Sequence, residues 1–98
     1  MKPLTSAQRQ HLKGLAHNRQ PVVMIGSQGL TPAVLKEIER ALAAHELIKI
    51  KAGSDEIEVR QRWMEDICAA TGAAPVQRIG KILVIYRAAG KPAIILPG

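Results

Sequence analysis

One strand–turn–helix–strand segment, residues 22–51, constrains the fold of this chain more than any other feature. Residues 22–25 form a short, fully apolar run, which is typical of a buried strand. Thr31 is a favourable N-cap and Pro32 suits the first helical position, so a helix is predicted to begin there. Residues 47–51 then alternate apolar and basic side chains, as a half-buried strand does. Two strands joined through a helix favour parallel pairing with a right-handed crossover.

The flanking segments extend this unit into a single domain. Residues 5–8 form a capping box that predicts a first helix, and Ser54 and Gly72 are suited to begin and close a third. Gly80 followed by Lys81 indicates a tight hairpin between two further strands. The predicted order is therefore αβαβαββ, an α/β fold with a four-stranded mixed sheet and helices packed on it. A chain of 98 residues suits one such domain.

The last residues of the chain, 88–98, are rich in Ala, Gly and Pro and are predicted to be a loose tail. Docking of residues 94–96 as an edge strand stays open at this point. The compact core is accordingly expected to cover about residues 4–87.

Charge is segregated along the chain. Lys and Arg total 14 against 8 Asp and Glu, yet residues 1–36 and 67–98 contain no acid at all. All eight acids fall within residues 37–66. Such segregation favours a polyanionic partner, although a basic protein with solvated lysines is the simpler alternative.

Several classes of protein fit this sequence poorly. Cys68 is the only cysteine, so no disulfide can form within the chain, and no apolar run has the length that a bilayer requires. The first residues lack the apolar centre of a signal peptide. His11, His17 and His45 have no cysteines or paired carboxylates at metal-ligand spacing. We therefore expect a cytoplasmic protein that is not an enzyme, with no cofactor, no small-molecule substrate and no membrane association.

The motif between the first strand and the second helix is Gly26-Ser27-Gln28-Gly29. Glycines allow close backbone approach, and a helix N-terminus offers unpaired amides and a partial positive charge, which together can bind a phosphate. A GxxG loop that clamps a nucleic-acid backbone works in this way. An ordinary tight turn is the competing interpretation. The motif lacks the Lys-Ser/Thr of a phosphate-binding P-loop and the third glycine of a dinucleotide fingerprint.

Four stretches of the sequence together resemble the YhbY family, the bacterial stand-alone form of the CRM (chloroplast RNA splicing and ribosome maturation) domain. They are QRQHLKGLAH, VVMIGSQGLT, EIERALAAHELIKIK and TGAAPVQRIGKILVIYR. The resemblance covers about residues 4–87. It implies a fold similar to the C-terminal domain of bacterial translation initiation factor 3, RNA binding, and association with precursors of the large ribosomal subunit during ribosome assembly.

The resemblance also implies which residues contact RNA. The candidates are the loop residues Gly26, Ser27, Gln28 and Gly29, the helix cap Thr31, and the basic residues Arg9, Lys13, Lys36, Arg40 and Arg87. Many CRM domains carry a basic residue between the two glycines. Here the pair is Ser-Gln, so backbone amides and flanking cations are expected to contribute more.

The expected partner is precursor large-subunit RNA, bound by a monomer. The alternative is a ribosome-associated protein-interaction module that binds an acidic protein partner. Whether Lys49 and Lys51 face the RNA depends on which face of the sheet stays open.

Overall fold

The computed structural model describes residues 3–98 and contains the predicted succession of helices and strands. The elements are α1 (Ser6–Ala16), β1 (Pro21–Ile25), α2 (Pro32–His45), β2 (Leu47–Ala52), α3 (Ile57–Thr71), β3 (Ala74–Ile79) and β4 (Ile82–Tyr86). This order confirms the αβαβαββ prediction.

The four strands form one mixed sheet in the order β1-β2-β4-β3. β1 pairs with β2 in parallel, as the crossover through α2 requires, and β4 runs antiparallel to both β2 and β3. The chain passes from β3 to β4 through Gly80, whose φ of 53° is the left-handed conformation expected of a glycine in this turn. β2 and β4 are therefore the central strands, and β1 and β3 are the edges.

One face of the sheet is closed by α2 and α3. Its buried core is aliphatic and comprises Val23, Ile25, Ile38, Leu42, Ile48, Ile50, Ala52, Met64, Ile67, Ala73, Leu83 and Ile85. Full burial of a valine, leucine, isoleucine or methionine side chain stabilises the fold by about 1.5–3 kcal/mol. We call this side the closed face.

The opposite face is covered in part by α1. Leu12 and Ala16 of that helix pack on Leu47, Val84 and Tyr86 in a second, smaller cluster. α1 is short, with 11 residues, so the sheet beyond this cluster has no helix over it. We call this side the open face.

The helix starts differ in how well they match the sequence prediction. Thr5 forms the predicted capping box of α1, and the Thr31 side chain accepts a hydrogen bond from the Val34 amide at the start of α2. The third helix begins later than predicted, after Glu56, which makes no side-chain cap. The Ser54 side chain instead accepts a hydrogen bond from the Glu56 amide at 3.1 Å and its carbonyl accepts one from the Arg60 guanidinium at 3.0 Å, so residues 54–56 bend ahead of the helix.

Residues 88–98, expected to be loose, contain no helix or strand but are fastened to the domain. The buried carboxylate of Glu46 accepts hydrogen bonds from the amides of Ala89 and Ala93 at 2.8 Å and of Ile94 at 3.0 Å. The amide hydrogen bonds, led by that of Ala89, hold the pKa of Glu46 below its ordinary value. Ile94 and Leu96 then pack against the open-face cluster.

Candidate nucleic-acid interface

The Gly26–Gly29 loop is a tight turn that joins β1 to α2. The Gly29 amide donates to the Gly26 carbonyl at 3.0 Å, and Gly29 has a φ of 76°. A side chain there would be strained and would also lie against the ring of Trp63 on α3. Gly29 is therefore required by the fold, and α3 supports the loop from beneath.

The loop presents unpaired backbone donors at the head of α2. Within residues 3–98, the amides of Ser27, Gln28 and Leu30 donate no hydrogen bond to the protein. Pro32 has no amide hydrogen, and the Thr31 amide donates to the Gly29 carbonyl at 3.0 Å. Donors arranged beside a helix N-terminus form a site for an anionic group.

Gly26 differs from Gly29 in that the fold does not require it. Its φ is outside the left-handed range, and a Cβ built on it would meet no atom within 4 Å. Its lack of a side chain leaves room above the loop for another molecule to approach the backbone. The motif therefore contains one glycine, Gly29, that the turn requires. The other, Gly26, leaves the backbone of the loop open to a second molecule.

Gly53 supports the loop and was missed as a functional residue by the sequence analysis. A Cβ on Gly53 would overlap the Ile25 carbonyl oxygen and lie 3.7 Å from the Gly26 Cα. The sequence shows a glycine at the end of the second strand. It does not show the contact that requires this glycine, because Ile25 lies 28 residues away from Gly53 in the sequence.

A third segment, the β3–β4 turn, lies at the same end of the strands, beside the carboxyl end of β2. The Ala52 amide donates to the Lys81 carbonyl at 2.7 Å, and the Lys81 ammonium forms an ion pair with Asp55. That hydrogen-bonded ammonium holds the pKa of Asp55 below its ordinary value. Lys81, at the end of the sheet where the GSQG loop lies, is therefore paired with an acid.

The structure does not bring the five predicted cations onto one surface. Lys13 lies on α1, on the open face, whereas Lys36 and Arg40 are exposed on α2, on the closed face. Lys36 is near the start of α2 and therefore flanks the loop. Arg9 is at the β3 edge, where its Nε lies 3.5 Å from the Pro75 carbonyl oxygen.

Arg87 is placed away from the loop, just beyond the end of β4. Its guanidinium donates to the Glu39 carboxylate and to the Thr71 carbonyl, both at 2.8 Å. These contacts tie the end of β4 to α2 and α3. The environment of Arg87 is that of a structural ion pair.

Lys49 and Lys51 both point toward the open face. Their cross-strand neighbours on β4 are Val84 and Ile82, which belong to or pack on the open-face cluster, whereas Ile50 between them is in the closed-face core. Lys49 lines a groove of about 340 Å³ beneath α1, together with Lys13. The alternation of residues along β2 predicted that Lys49 and Lys51 share one face of the sheet, but the sequence did not show which face would stay open.

Negative charge is distributed unevenly around this sheet. Across residues 3–98, α1 and the four strands contain no acid. The acids are on α2 (Glu37, Glu39), on α3 (Glu58, Glu65, Asp66), at the buried position 46, and in the loop before α3 (Asp55, Glu56). The open face is therefore basic without nearby acids on its own elements.

Other chemistry is sparse in the part of the chain that the structure describes. It contains no group of three or more His, Cys, Asp or Glu side chains placed to hold a metal ion. Burial raises the pKa of the Cys68 thiol to about 11, so this thiol is protonated at neutral pH. Among the described helices, none has the length and apolar character needed to cross a bilayer.

These features define an α/β domain that combines a glycine loop at a helix N-terminus with a basic, partly uncovered sheet. The chain belongs to the CRS1/YhbY (CRM) domain family, whose model matches residues 4–87. This membership confirms the resemblance identified in the sequence.

Similar proteins support the assignment across nearly the whole chain. An RNA-binding protein of Haemophilus influenzae is 50% identical over 97 residues, which are 99% of this chain and 98% of that protein. A protein of Pseudomonas aeruginosa named as a probable RNA-binding protein is 40% identical over 91% of this chain and 86% of its own length. The solution structure of a Staphylococcus aureus protein, described as a candidate RNA-binding protein, superposes with a TM-score of 0.85. It is 35% identical and covers 96% of this chain and 99% of its own.

Proposed function

We propose that this protein binds RNA through the GSQG loop and nearby cations, and that it acts on precursors of the large ribosomal subunit during ribosome assembly. RNA binding is supported by the names of the relatives, and the role in assembly by the resemblance to the YhbY family. The observation that carries the proposal is the set of unpaired amides of Ser27, Gln28 and Leu30 at the head of α2.

The loop would recognise the RNA backbone. A phosphate placed over Gly26 can accept hydrogen bonds from the Ser27 and Gln28 amides, and the positive end of the α2 dipole adds attraction. Both side chains are exposed and can donate further hydrogen bonds. Such contacts position RNA without reading its sequence.

Cations on either side of the loop would add long-range attraction. On the open face these are Lys13, Lys49 and Lys51, and on the closed face Lys36 flanks the loop. Arg9 and Arg40 would make peripheral contacts, and Arg87 is assigned a structural role because its guanidinium already has two partners.

The loop proposal is tested by converting Ser27 and Gln28 to aspartate together. We expect loss of binding to a fluorescein-labelled RNA oligonucleotide, because two carboxylates repel the phosphate. The matched control, Ser27→Ala with Gln28→Ala, keeps the amides and should retain most of the affinity. Wild-type affinity in the aspartate variant would show that the loop does not contact the RNA.

The electrostatic share of binding is tested by salt titration. If five phosphates are neutralised, the slope of log K against log salt should be about −3.5, at roughly 0.7 per phosphate for single strands. A slope near zero would contradict phosphate recognition.

The role in assembly is tested by crosslinking in cells, sequencing of the attached RNA and gradient fractionation of the same lysate. We expect crosslinks on large-subunit ribosomal RNA in particles lighter than mature ribosomes. Crosslinks scattered over messenger or transfer RNA would contradict the assembly role. An association that survives ribonuclease would instead indicate the protein-interaction module.

A further inference from the structure

A row of four side chains crosses the open face next to the GSQG loop. The strand register pairs Met24 with Lys51, Lys51 with Ile82 and Ile82 with Ile79, so one residue from each strand contributes. Met24 is 61% exposed and Ile79 is 55% exposed, so this row offers apolar surface to solvent at both edges of the sheet. The row lies two residues before the loop, since Met24 precedes Ile25 and Gly26.

A second row, parallel to the first, has a lysine and a glutamine on either side of a buried valine. Lys49 pairs with Val84, and Val84 with Gln77 on β3. Lys49 and Gln77 line the groove beneath α1 with Lys13 and His17. The third row, Leu47, Tyr86 and Ala74, is covered by α1. The uncovered part of the open face is thus the first row, which has exposed apolar side chains at both ends and Lys51 between them, with Lys49 and Lys13 in the adjacent groove.

We propose that the first row, together with the adjacent Lys49 and Lys13, forms a second RNA-contact surface that takes a single-stranded segment, with bases against Met24 and Ile79 and phosphates at Lys13, Lys49 and Lys51. The inference rests on the proposed function and deepens it by naming the class of RNA. Charge complementarity favours a polyanion, because α1 and the strands contain no acid within residues 3–98.

Single-stranded RNA fits this surface better than a duplex does. Exposed apolar side chains gain only from contact with the faces of unstacked bases, which a duplex keeps inside its helix. At about 4.8 Å between strands, the four-residue row spans roughly 14 Å, a length suited to two or three nucleotides. The surface has no exposed aromatic side chain, so it would hold bases through aliphatic and thioether contacts and have little preference among them.

The test measures binding of a labelled, unstructured 12-nucleotide RNA and of the 12-base-pair duplex of the same sequence. Met24→Thr with Ile79→Thr removes apolar surface while keeping residues suited to strands. We expect single-strand affinity to fall about five- to tenfold, consistent with the loss of several buried methylene or methyl groups, with an unchanged salt slope. Duplex affinity should stay within about twofold of wild type.

Two matched controls use the closed face. Ile57→Thr alters a residue that is 59% exposed at the start of α3 and should leave single-strand affinity unchanged. Lys51→Glu and Arg62→Glu change the net charge equally, but only the former should weaken binding strongly, because Arg62 lies on α3.

The outcomes separate this inference from the proposed function. If the aspartate loop variant loses RNA while the Met24/Ile79 variant and Lys51→Glu bind like wild type, the sheet surface is rejected and the loop stands. Equal losses for single strand and duplex would reject the single-strand preference. If the wild-type protein binds neither RNA, both proposals are overturned.

Discussion

The two faces of the sheet are made from the same four strands but differ in covering and in charge. β2 shows the difference most directly, since Ile48 and Ile50 are buried beneath α2 and α3 while Lys51 is exposed on the other side. The closed face includes both long helices and most of the acids, and the open face has one short helix, the tail held by Glu46, and no acid on its own helix or strands. Stability is therefore concentrated on one side of the sheet, which leaves the other side free to bind a ligand.

The GSQG loop lies where the two faces meet. It is supported from the closed face by Trp63 and from the sheet by Gly53, while the amides of Ser27, Gln28 and Leu30 make no hydrogen bond within residues 3–98. A rigid support matters because amides that are held in place before binding lose little entropy when a phosphate arrives.

The largest expected effect contrasts a buried residue of the closed face with an exposed residue of the open face. Ile50→Ala should destabilise the protein by about 2–5 kcal/mol, because Ile50 is fully buried on the closed face. Met24→Ala on the open face should change the free energy of unfolding by no more than about 0.5 kcal/mol. Urea denaturation measures both, and similar losses would mean that the open face also serves stability.

The next contrast is between two glycines beside the loop. Gly53→Ala should cost about 1–3 kcal/mol, since its Cβ would overlap the Ile25 carbonyl oxygen and force the strand end to shift. Gly26→Ala should leave stability unchanged or slightly higher, yet weaken RNA binding by limiting backbone approach. Full affinity in Gly26→Ala would show that the ligand does not approach at that point.

A third prediction concerns the carboxylate that fastens the tail over the far end of the open face. Glu46→Gln should cost about 1–2 kcal/mol, because a charged acceptor of backbone amides is replaced by a neutral one. Amide hydrogen exchange at Ala89, Ala93 and Ile94 should accelerate. Unchanged exchange would show that Glu46 does not hold the tail.

The pH dependence of this contact follows from the lowered pKa of Glu46. A carboxyl whose pKa is lower in the folded protein stabilises it fully above the unfolded-state pKa, and this contribution is lost as the pH falls through the folded-state pKa. Acid titration of stability should therefore be shallower in Glu46→Gln than in the wild type.

The smallest effects come from two cations that the sequence could not tell apart. Arg87→Gln should cost about 1 kcal/mol of stability, a modest value because the pair with Glu39 is partly exposed, and should leave RNA affinity unchanged. Lys13→Gln should leave stability unchanged and reduce the salt slope by about 0.7. Loss of stability in Lys13→Gln together with a reduced salt slope in Arg87→Gln would mean that Lys13 is structural and Arg87 contacts RNA.

The order and type of the elements could be predicted because their signals are local. Capping residues at Thr5 and Thr31 and the alternation of β2 each act over a few residues, and they were found where expected. The start of α3 was misplaced because the Ser54 hydroxyl accepts a hydrogen bond from the Glu56 amide and the Ser54 carbonyl accepts one from the Arg60 guanidinium, contacts that close a bend ahead of the helix.

The candidate site was predictable in part. The loop was found from its motif, but Lys49, Lys51 and Gly53 acquire their positions from strands that lie far apart in the sequence, and Arg87 acquires its partners in the same way. The tail contact with Glu46 also had no local signal, since one carboxylate binds amides more than 40 residues further along the chain.

The sequence by itself determined the αβαβαββ order, the excess of basic residues at both ends and the loop at the head of the second helix. These depend on backbone propensity, periodicity and capping, which act between near neighbours. Only the tertiary structure decided how much of the sheet α1 leaves uncovered, which cations lie there and which glycine the turn requires. Those outcomes depend on packing and hydrogen bonds between segments that the chain brings together only after it folds.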